Sequence, residues 1–222
     1  IKRGAVCFTF DDAPHSAIAH GAKMLQAHGV KGVFYLCAGL TGQHTHLGPM
    51  HTRADVEALL AGGHEIGCHT FSHRDLAQAT IQDAFLECDA NARDLMEMGA
   101  PAPTAFAYPY GDTHFALKQA MGARFATARG IIGGLNAGNA DRAQLCAQRL
   151  YGEDTWPACA ALLRAAQERA GLAIVFSHDV QDNPSPYGCT PALLKRALEE
   201  SNRLGLEILT LQDVFAGRTQ SP

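Results

Sequence analysis

Short apolar runs alternate with helical segments along the whole chain, and this alternation is the strongest constraint on its fold. Strands that alternate with helices through short connections form parallel sheets, because each helix carries the chain back to start the next strand. The predicted strands are residues 4–10, 31–37, 64–68, 104–108, 124–128, 172–177 and 207–210. Polar residues follow several of these strands, which favours a parallel α/β barrel over an open sheet.

The helices predicted between the strands complete this pattern. Some begin at a Thr that can cap the first turn or end at a Gly that adopts a left-handed backbone. The long stretch 130–148 has Gly and Asn turns without a period, and we predict a functional or covering loop there. No repeat or linker divides the chain, so residues 1–222 are expected to form a single domain. The predicted helices are residues 18–28, 52–61, 80–98, 114–121, 155–170 and 190–204.

The composition argues against several classes of protein. With 47% hydrophobic residues and a net charge of −4, the chain can bury a large core, and nucleic acid is not an expected partner. No apolar run approaches the ~20 residues that cross a bilayer, so no transmembrane segment is expected. The seven cysteines lack CxxC spacing and slightly favour a reducing compartment such as the cytoplasm. No signal peptide is visible, but a trimmed N-terminus stays open because the chain begins at Ile1.

Two carboxylates and two imidazoles follow predicted strands. Asp11 and Asp12 come directly after the first strand, and His69 and His73 follow the third. A catalytic zinc ion takes three N or O ligands from the protein, which Asp12, His69 and His73 can supply, leaving Asp11 as a general base. Each of the two pairs also has a simpler structural interpretation when taken alone. The aspartates can cap a helix, and the histidines can share one helical face.

Two further segments follow strands on the same predicted edge. His178 ends the sixth strand, where it suits a general acid or, alternatively, a packed histidine bonded to a backbone carbonyl. The segment 108–112 (Tyr-Pro-Tyr-Gly-Asp) ends the fourth strand. It is either a plain turn or a rigid one that presents a backbone N–H and aromatic rings to a substrate.

Together these segments resemble four motifs of the polysaccharide deacetylase family, the NodB-homology carbohydrate esterases: the first, second, third and last. Residues 9–12 (Thr-Phe-Asp-Asp) resemble its first motif, and 69–73 (His-Thr-Phe-Ser-His) its second. Residues 108–111 (Tyr-Pro-Tyr-Gly) are similar to the third, and 176–179 (Phe-Ser-His-Asp) to the last. The resemblance runs from about residue 4 to residue 211 in the family's order. It implies a distorted (β/α) barrel with about seven parallel strands.

The resemblance also implies an activity and a role for each residue. It implies a metal-dependent deacetylase that hydrolyses the N-acetyl group of an amino sugar or polysaccharide. One divalent ion, with zinc preferred, would be held by Asp12, His69 and His73. Asp11 would be the base and His178 the acid, and the substrate side would include Tyr110 and its neighbour Pro109. The alternatives are a hydrolase of another small amide, such as an N-formyl sugar or a ureide, and an inactive carbohydrate-binding relative.

The chain departs from the family pattern in three places. Ala13 stands where the family usually has Gly, and Ala107 stands where the third motif has an arginine beside the catalytic carboxylate. We predict that Arg129 takes over the task of that arginine, with Arg149 as the second candidate, and we group Arg129 with the substrate-side residues. The family's fourth motif is not recognisable. Residues 153–156 (Glu-Asp-Thr-Trp) are only weakly similar to it, and a capped helix start explains this segment equally well.

The other histidines are not expected to bind the metal. His44, His46 and His51 lie in a loop without a nearby Cys or carboxylate to complete a site. His15 is close enough in sequence to the aspartates to line the pocket, and no further role is predicted for it.

Overall fold

The computed structural model describes residues 3–215, and its strands follow the predicted order. Residues 1–2 and 216–222 of the predicted domain lie outside the described part. The strands are β1 (Ala5–Phe10), β2 (Val33–Leu36), β3 (His44–Thr45), β4 (Gly48–Pro49), β5 (Glu65–Cys68), β6 (Ala105–Ala107), β7 (Thr127–Arg129), β8 (Gln148–Arg149), β9 (Leu172–Ser177) and β10 (Glu207–Ile208).

Helices connect most of these strands. A π-helical segment, Ala17–Ala22, leads into α1 (Lys23–Ala27). The other α-helices are α2 (Arg53–Ala61), α3 (Ile81–Glu97), α4 (Phe115–Arg124), α5 (Trp156–Arg169), α6 (Pro191–Arg203) and α7 (Leu211–Phe215). Short 3₁₀ turns span Ala38–Leu40, Leu76–Gln78, Pro109–Gly111 and Glu153–Thr155. All six predicted helices are present, and α7 adds a short one that had not been predicted.

The main sheet is entirely parallel and strongly curled. Its order is β7-β6-β5-β2-β1-β9-β8, and β10 pairs with the first residues of β1. The β3–β4 hairpin stands apart from it. The prediction of a distorted (β/α) barrel with parallel strands is therefore confirmed. Because the strands are parallel, the residues that follow β1, β5, β6, β7 and β9 gather at one end of the barrel.

The stretch 130–148 does not simply cover the barrel, as its Gly and Asn turns had suggested. Part of it fills the gap between β7 and β8. The Leu145 N–H donates to the Ala128 carbonyl at 2.8 Å and the Gly130 N–H donates to the Leu145 carbonyl at 3.0 Å. A few residues later β8 pairs with β9. Most of the stretch is irregular, as predicted, and only this short pairing had not been foreseen, because one or two paired residues are too few to show a period of two.

Residues of β1 alternate between the barrel interior and the helical layer. Ala5 and Cys7 pack inside, whereas Phe8 and Phe10 pack outward against the surrounding helices. Inside, α7 contributes Leu211 to the same cluster. This closes the end of the barrel opposite the strand C-termini. Over residues 3–215, no helix combines the length and the apolar character needed to cross a membrane.

Candidate active site

Three potential metal ligands meet at the C-terminal end of the barrel. The ligand atoms of Asp12, His69 and His73 lie within 4.8 Å of one another. The Oδ1 atom of Asp12 is 3.4 Å from Nε2 of His73 and 3.8 Å from Nε2 of His69. One carboxylate and two imidazoles in this arrangement are a donor set that suits zinc and similar divalent ions.

The tautomer of His69 is set by its backbone contact. Its Nδ1 lies 2.8 Å from the carbonyl oxygen of Ala107, which can only accept, so Nδ1 carries the proton. Nε2 is then the unprotonated nitrogen, and it is the atom nearest to Asp12. Burial and the neighbouring His73 lower the pKa of His69 to about 4. His69 is therefore neutral near neutral pH, as a metal ligand must be.

A buried thiol lies behind the ligands. The Sγ atom of Cys37 is 3.0 Å from the carbonyl oxygen of His69 and 3.8 Å from Oδ1 of Asp12. Burial and the charge of Asp12 raise the pKa of the Cys37 thiol, so it stays protonated. Cys37 therefore donates toward the backbone of His69 and lies close to the carboxylate of Asp12.

Backbone strain is concentrated at this end of the barrel. Six non-glycine residues in the described part have a left-handed backbone, and one of them, Ala170, simply ends α5. The other five are all at the site, where such strain is commonly stored. Ala13, with φ of 43°, occupies the position where Gly would adopt this backbone without steric cost. The five are Asp12, Ala13, Thr70, His73 and Tyr110.

Asp11 points to a different partner from Asp12. Nη2 of Arg129, at the end of β7, donates to Oδ1 of Asp11 in a buried ion pair. Burial alone would raise the pKa of Asp11. The positive charge of Arg129, with smaller effects from His69 and His178, outweighs burial and lowers the pKa below its usual value. Asp11 is thus ionised at neutral pH.

Arg129 reaches Asp11, as predicted, but from inside the barrel. Its side chain is 0% exposed and lies between the rings of Tyr35 and Phe176, at 4.9 and 5.1 Å from their centroids. Nη1 also donates to the carbonyl of Gly130 at 3.0 Å. Arg129 is buried and is not among the residues that line the active-site cavity, so nothing in the structure places it beside a substrate. It supports the carboxylate from behind.

The other candidate, Arg149, lies on the cavity wall. It makes no ion pair with Asp11 in the described structure, and Arg129 occupies that place.

His178 follows β9 and lines the same cavity as the two metal-site histidines. Its Nδ1 is 3.2 Å from the carbonyl oxygen of Tyr187, so Nδ1 carries a proton and Nε2 is the nitrogen that can exchange one. The backbone N–H of His178 donates to the same carbonyl, also at 3.2 Å. The buried Asp179 ties this loop down by accepting from Ser185 Oγ at 2.5 Å and from its backbone N–H at 2.8 Å.

The turn after β6 places an aromatic ring beside the metal site. Pro109 starts a 3₁₀ turn in which Tyr110 has φ of 60°. The Tyr110 ring is 58% exposed and lies 4.7 Å from the ring of His73. Tyr110 lines the cavity, whereas Pro109 is buried and supports the turn from below.

A cavity of about 470 Å³ joins these groups, which is within the usual range for small-molecule sites. Sequence reasoning missed four of its residues: His46, Ile131, Tyr151 and Tyr187. The Tyr151 ring packs against His178 at 5.6 Å and against Tyr187 at 6.0 Å, and His46 reaches Tyr187 at 5.9 Å from the β3–β4 hairpin. The lining residues are Asp11, Asp12, His46, His69, His73, Tyr108, Tyr110, Ile131, Arg149, Tyr151, Phe176, His178 and Tyr187.

Two of the other histidines contact groups outside the ligand set. Nδ1 of His15 is 3.0 Å from Oδ1 of Asp55, so this side chain braces α2 rather than lining the cavity. His51 is buried between the Ala13 carbonyl and the Thr41 hydroxyl. The segment 153–156 forms a 3₁₀ turn that leads into α5, which supports its interpretation as a helix start, although no side chain caps it.

The N-terminal half of the chain matches a known family, and individual relatives match parts of it. The sequence profile described as "Polysaccharide deacetylase" matches residues 2–125. The peptidoglycan-N-acetylglucosamine deacetylase PgdA of Listeria monocytogenes is 25% identical over 118 residues, 53% of this chain and 24% of that protein. A chitin deacetylase of Pestalotiopsis sp is 31% identical over 106 residues, 48% of this chain and 34% of that protein. The chain thus spans about a quarter to a third of the length of these relatives.

Solved structures extend the likeness over nearly the whole chain. The chitin deacetylase from the fungal pathogen Colletotrichum lindemuthianum superimposes with a TM-score of 0.69 at 16% identity, covering 96% of this chain and 87% of that one. A family 4 acetyl xylan esterase from Clostridium thermocellum, solved with a cobalt ion, has a TM-score of 0.66 at 21% identity and covers 95% and 90%. At these identities the likeness shows the shared fold.

Proposed function

The chain belongs to the polysaccharide deacetylase family, and on that premise we propose that it is a metal-dependent hydrolase of N-acetyl groups on an amino sugar or glycan. One observation carries this proposal: an ionised carboxylate, a histidine with a free ring nitrogen and a three-residue metal-ligand set line a single cavity. A binding protein needs neither the acid nor the base. The relatives named for peptidoglycan and chitin deacetylation support the N-acetyl group as the target.

The residues present fit a divalent ion. Asp12, His69 and His73 would hold it, with Nε2 as the ligand atom of His69 because Nδ1 is bonded to the Ala107 carbonyl. When bound, such an ion polarises an acyl oxygen and makes a water molecule more acidic. We propose zinc as the natural metal, since its usual ligands include this N/O set.

Asp11 is the proposed general base. It lines the cavity beside the ligand set, and Arg129 keeps it ionised, so it can accept a proton from the attacking water. This ion pair, made from inside the barrel, also holds the carboxylate in one orientation. Arg129 acts through Asp11 and has no contact with the cavity, which makes it a positioning residue.

His178 and the turn at Tyr110 complete the proposed chemistry. Nε2 of His178 would donate a proton to the leaving amine, because the other ring nitrogen is occupied by the Tyr187 carbonyl. The Pro109–Gly111 turn would place its Tyr110 amide at the developing oxyanion. Tyr151 and Tyr187 pack around His178 and hold its ring in the cavity wall.

The proposed function can be tested by measuring the acetate that the metal-loaded protein releases from acetylated glycans. The purified chain should be freed of metal, reloaded with Zn²⁺ or Co²⁺, and assayed on N-acetylglucosamine oligomers, glycan fragments of peptidoglycan and acetylated xylan. We expect acetate release that disappears without metal. Release of formate from N-formyl sugars in place of acetate would move the function to another small amide. Binding without any hydrolysis would identify an inactive relative.

A further inference from the structure

Arg149 is the cationic residue of the cavity wall that the proposed chemistry does not use. It lies at the end of β8, where its backbone pairs with Phe176 of β9, two residues before His178. The next backbone N–H, of Leu150, donates to the Phe176 carbonyl at 2.8 Å. Arg149 is therefore attached to the same rigid strand pair as the proposed acid, and its backbone is held as firmly as that of the catalytic residue.

The Arg149 guanidinium has no acidic partner in the described structure. Arg129 already occupies the contact with Asp11, and no carboxylate of residues 3–215 lies within ion-pair distance of Arg149. The side chain is exposed on the cavity wall, although the chain as a whole is acidic with a net charge of −4. An unpaired guanidinium at a ligand cavity is suited to a planar anion, which it can bind with two parallel hydrogen bonds.

A second cavity continues from this point. Its volume is about 700 Å³, and it shares Ile131, Arg149 and Tyr151 with the catalytic cavity. Its other wall residues include Gln148, Asp154 and Ser185, which offer donors and acceptors suited to sugar hydroxyl groups. A glycan with its N-acyl group at the metal site can place its neighbouring sugar in this second cavity, beside Arg149.

We propose that Arg149 selects a substrate in which the sugar next to the N-acylated residue carries a carboxylate. This inference rests on the proposed function and adds the class of glycan on which it acts. A single carboxylate matches one guanidinium in charge. A phosphate would bring more negative charge than Arg149 neutralises, into a region that already holds Asp154, Asp11 and Asp12. The carboxylate is therefore the better match.

Three N-acetylglucosamine oligomers that differ in one group test the proposal. In the first, the neighbouring sugar bears a lactyl ether with a free carboxylate; in the second that carboxylate is amidated; in the third it is replaced by a phosphate. With the metal-loaded wild-type protein, we expect kcat/KM for the acid to exceed that for the amide by about 10-fold or more. Arg149→Met should bring the ratio of acid to amide close to one.

The control is Arg169→Met, which removes the same charge at the end of α5, away from both cavities. It should keep the wild-type ratio. High salt should reduce the wild-type preference more than it reduces turnover of the amide, because an exposed ion pair is screened.

Several outcomes would overturn the assignment. Equal kcat/KM of the wild-type protein for the acid and the amide would show that Arg149 does not recognise the carboxylate. An equal loss of kcat/KM for both substrates in Arg149→Met would show the same. If the wild-type protein prefers the phosphate-bearing oligomer, the proposal that Arg149 selects a carboxylate is wrong. If no oligomer is hydrolysed, the proposed function fails separately, and calorimetric binding of acid against amide to both proteins still decides the role of Arg149.

Discussion

Asp11 and Asp12 are neighbours in the chain but face different chemistry. Asp11 pairs with the buried Arg129, whereas Asp12 faces His69 and His73. The left-handed backbone of Asp12, with φ of 57°, turns the two carboxylates in different directions. At the scale of single residues, one strained peptide thus separates the proposed base from the proposed metal ligand.

Substituting each aspartate with its amide should separate these roles. Asp11→Asn removes the proton acceptor but retains Oδ1 for the Arg129 contact, so it should keep metal content and lower kcat by about 10²–10⁴-fold. Asp12→Asn and His73→Ala should each lose bound metal in addition to activity. Metal analysis after dialysis and acetate release measure both effects. Equal metal loss in the Asp11 and Asp12 variants would contradict the assignment.

Removing the positioning arginine should change the pH profile. Arg129 lowers the pKa of Asp11, so without its charge the carboxylate holds its proton to higher pH. Arg129→Met should therefore reduce turnover and move the acidic limb of kcat/KM to higher pH, while metal content stays constant. Arg129→Lys, which retains the charge, should shift the limb less. Thermal unfolding checks that each variant is folded, and an unshifted limb in folded Arg129→Met would contradict the role.

At the scale of elements, helix α3 is attached to the strand ends by one buried amide. The Ala38 N–H donates to Oδ1 of Asn91 at 2.7 Å, and Nδ2 of Asn91 lies 2.9 Å from the carbonyl oxygen of Leu36. Asn91 is 0% exposed and also contacts Sγ of Cys68 at 3.2 Å. The helix therefore holds together the ends of β2 and β5, just below the metal ligand His69.

Asn91→Ala should destabilise the protein by about 2–4 kcal/mol, because it leaves the buried Ala38 N–H unpaired, removes one of the two hydrogen bonds to the Leu36 carbonyl and creates a small cavity. The exposed Asn202→Ala on α6 is the matched control and should change stability by less than about 0.5 kcal/mol. Urea unfolding followed by circular dichroism measures both. A similar small effect for the two variants would mean that water or a shift of the backbone replaces the Asn91 contacts.

In the molecule as a whole, the two ends of the barrel differ: the candidate active site lies at the C-terminal ends of the strands, and a carboxyl group is buried at the opposite end. Glu65, at the start of β5, accepts a hydrogen bond from the Gln212 N–H of α7 at 2.8 Å, and its other oxygen has no partner within the described structure. Burial raises the pKa of Glu65 to about 7. The folded protein therefore retains a proton on Glu65 that the unfolded chain has released above its ordinary pKa near 4.5.

This difference makes stability depend on pH with a definite sign. Because the folded state binds the extra proton, the contribution of Glu65 to stability is largest below about pH 4.5 and is lost as the pH rises to about 7. Glu65→Gln should remove this loss and raise stability at pH 8 by up to about 3 kcal/mol. Unfolding measured from pH 4.5 to 8 tests it, with exposed Glu57→Gln as control. A parallel pH dependence in Glu65→Gln and wild type would contradict the assignment.

Several features of this protein follow directly from local patterns in its amino-acid sequence. The order of strands and helices, the α/β class and the positions of Asp11, Asp12, His69, His73 and His178 at strand ends all follow from periodicity and from short motifs. These signals are local because a strand or a helix turn is specified by neighbouring residues. The family resemblance rested on the same short segments.

Contacts between groups that are distant in the chain depend on the path of the folded backbone. Arg129 reaches Asp11 because β7 and β1 lie on the same barrel, and its aromatic neighbours Tyr35 and Phe176 come from two other strands. Tyr151 and Tyr187 reach the cavity from segments with no recognisable pattern. Contacts between residues far apart in the chain depend on the path of the backbone and on packing, and local propensity carries no information about them.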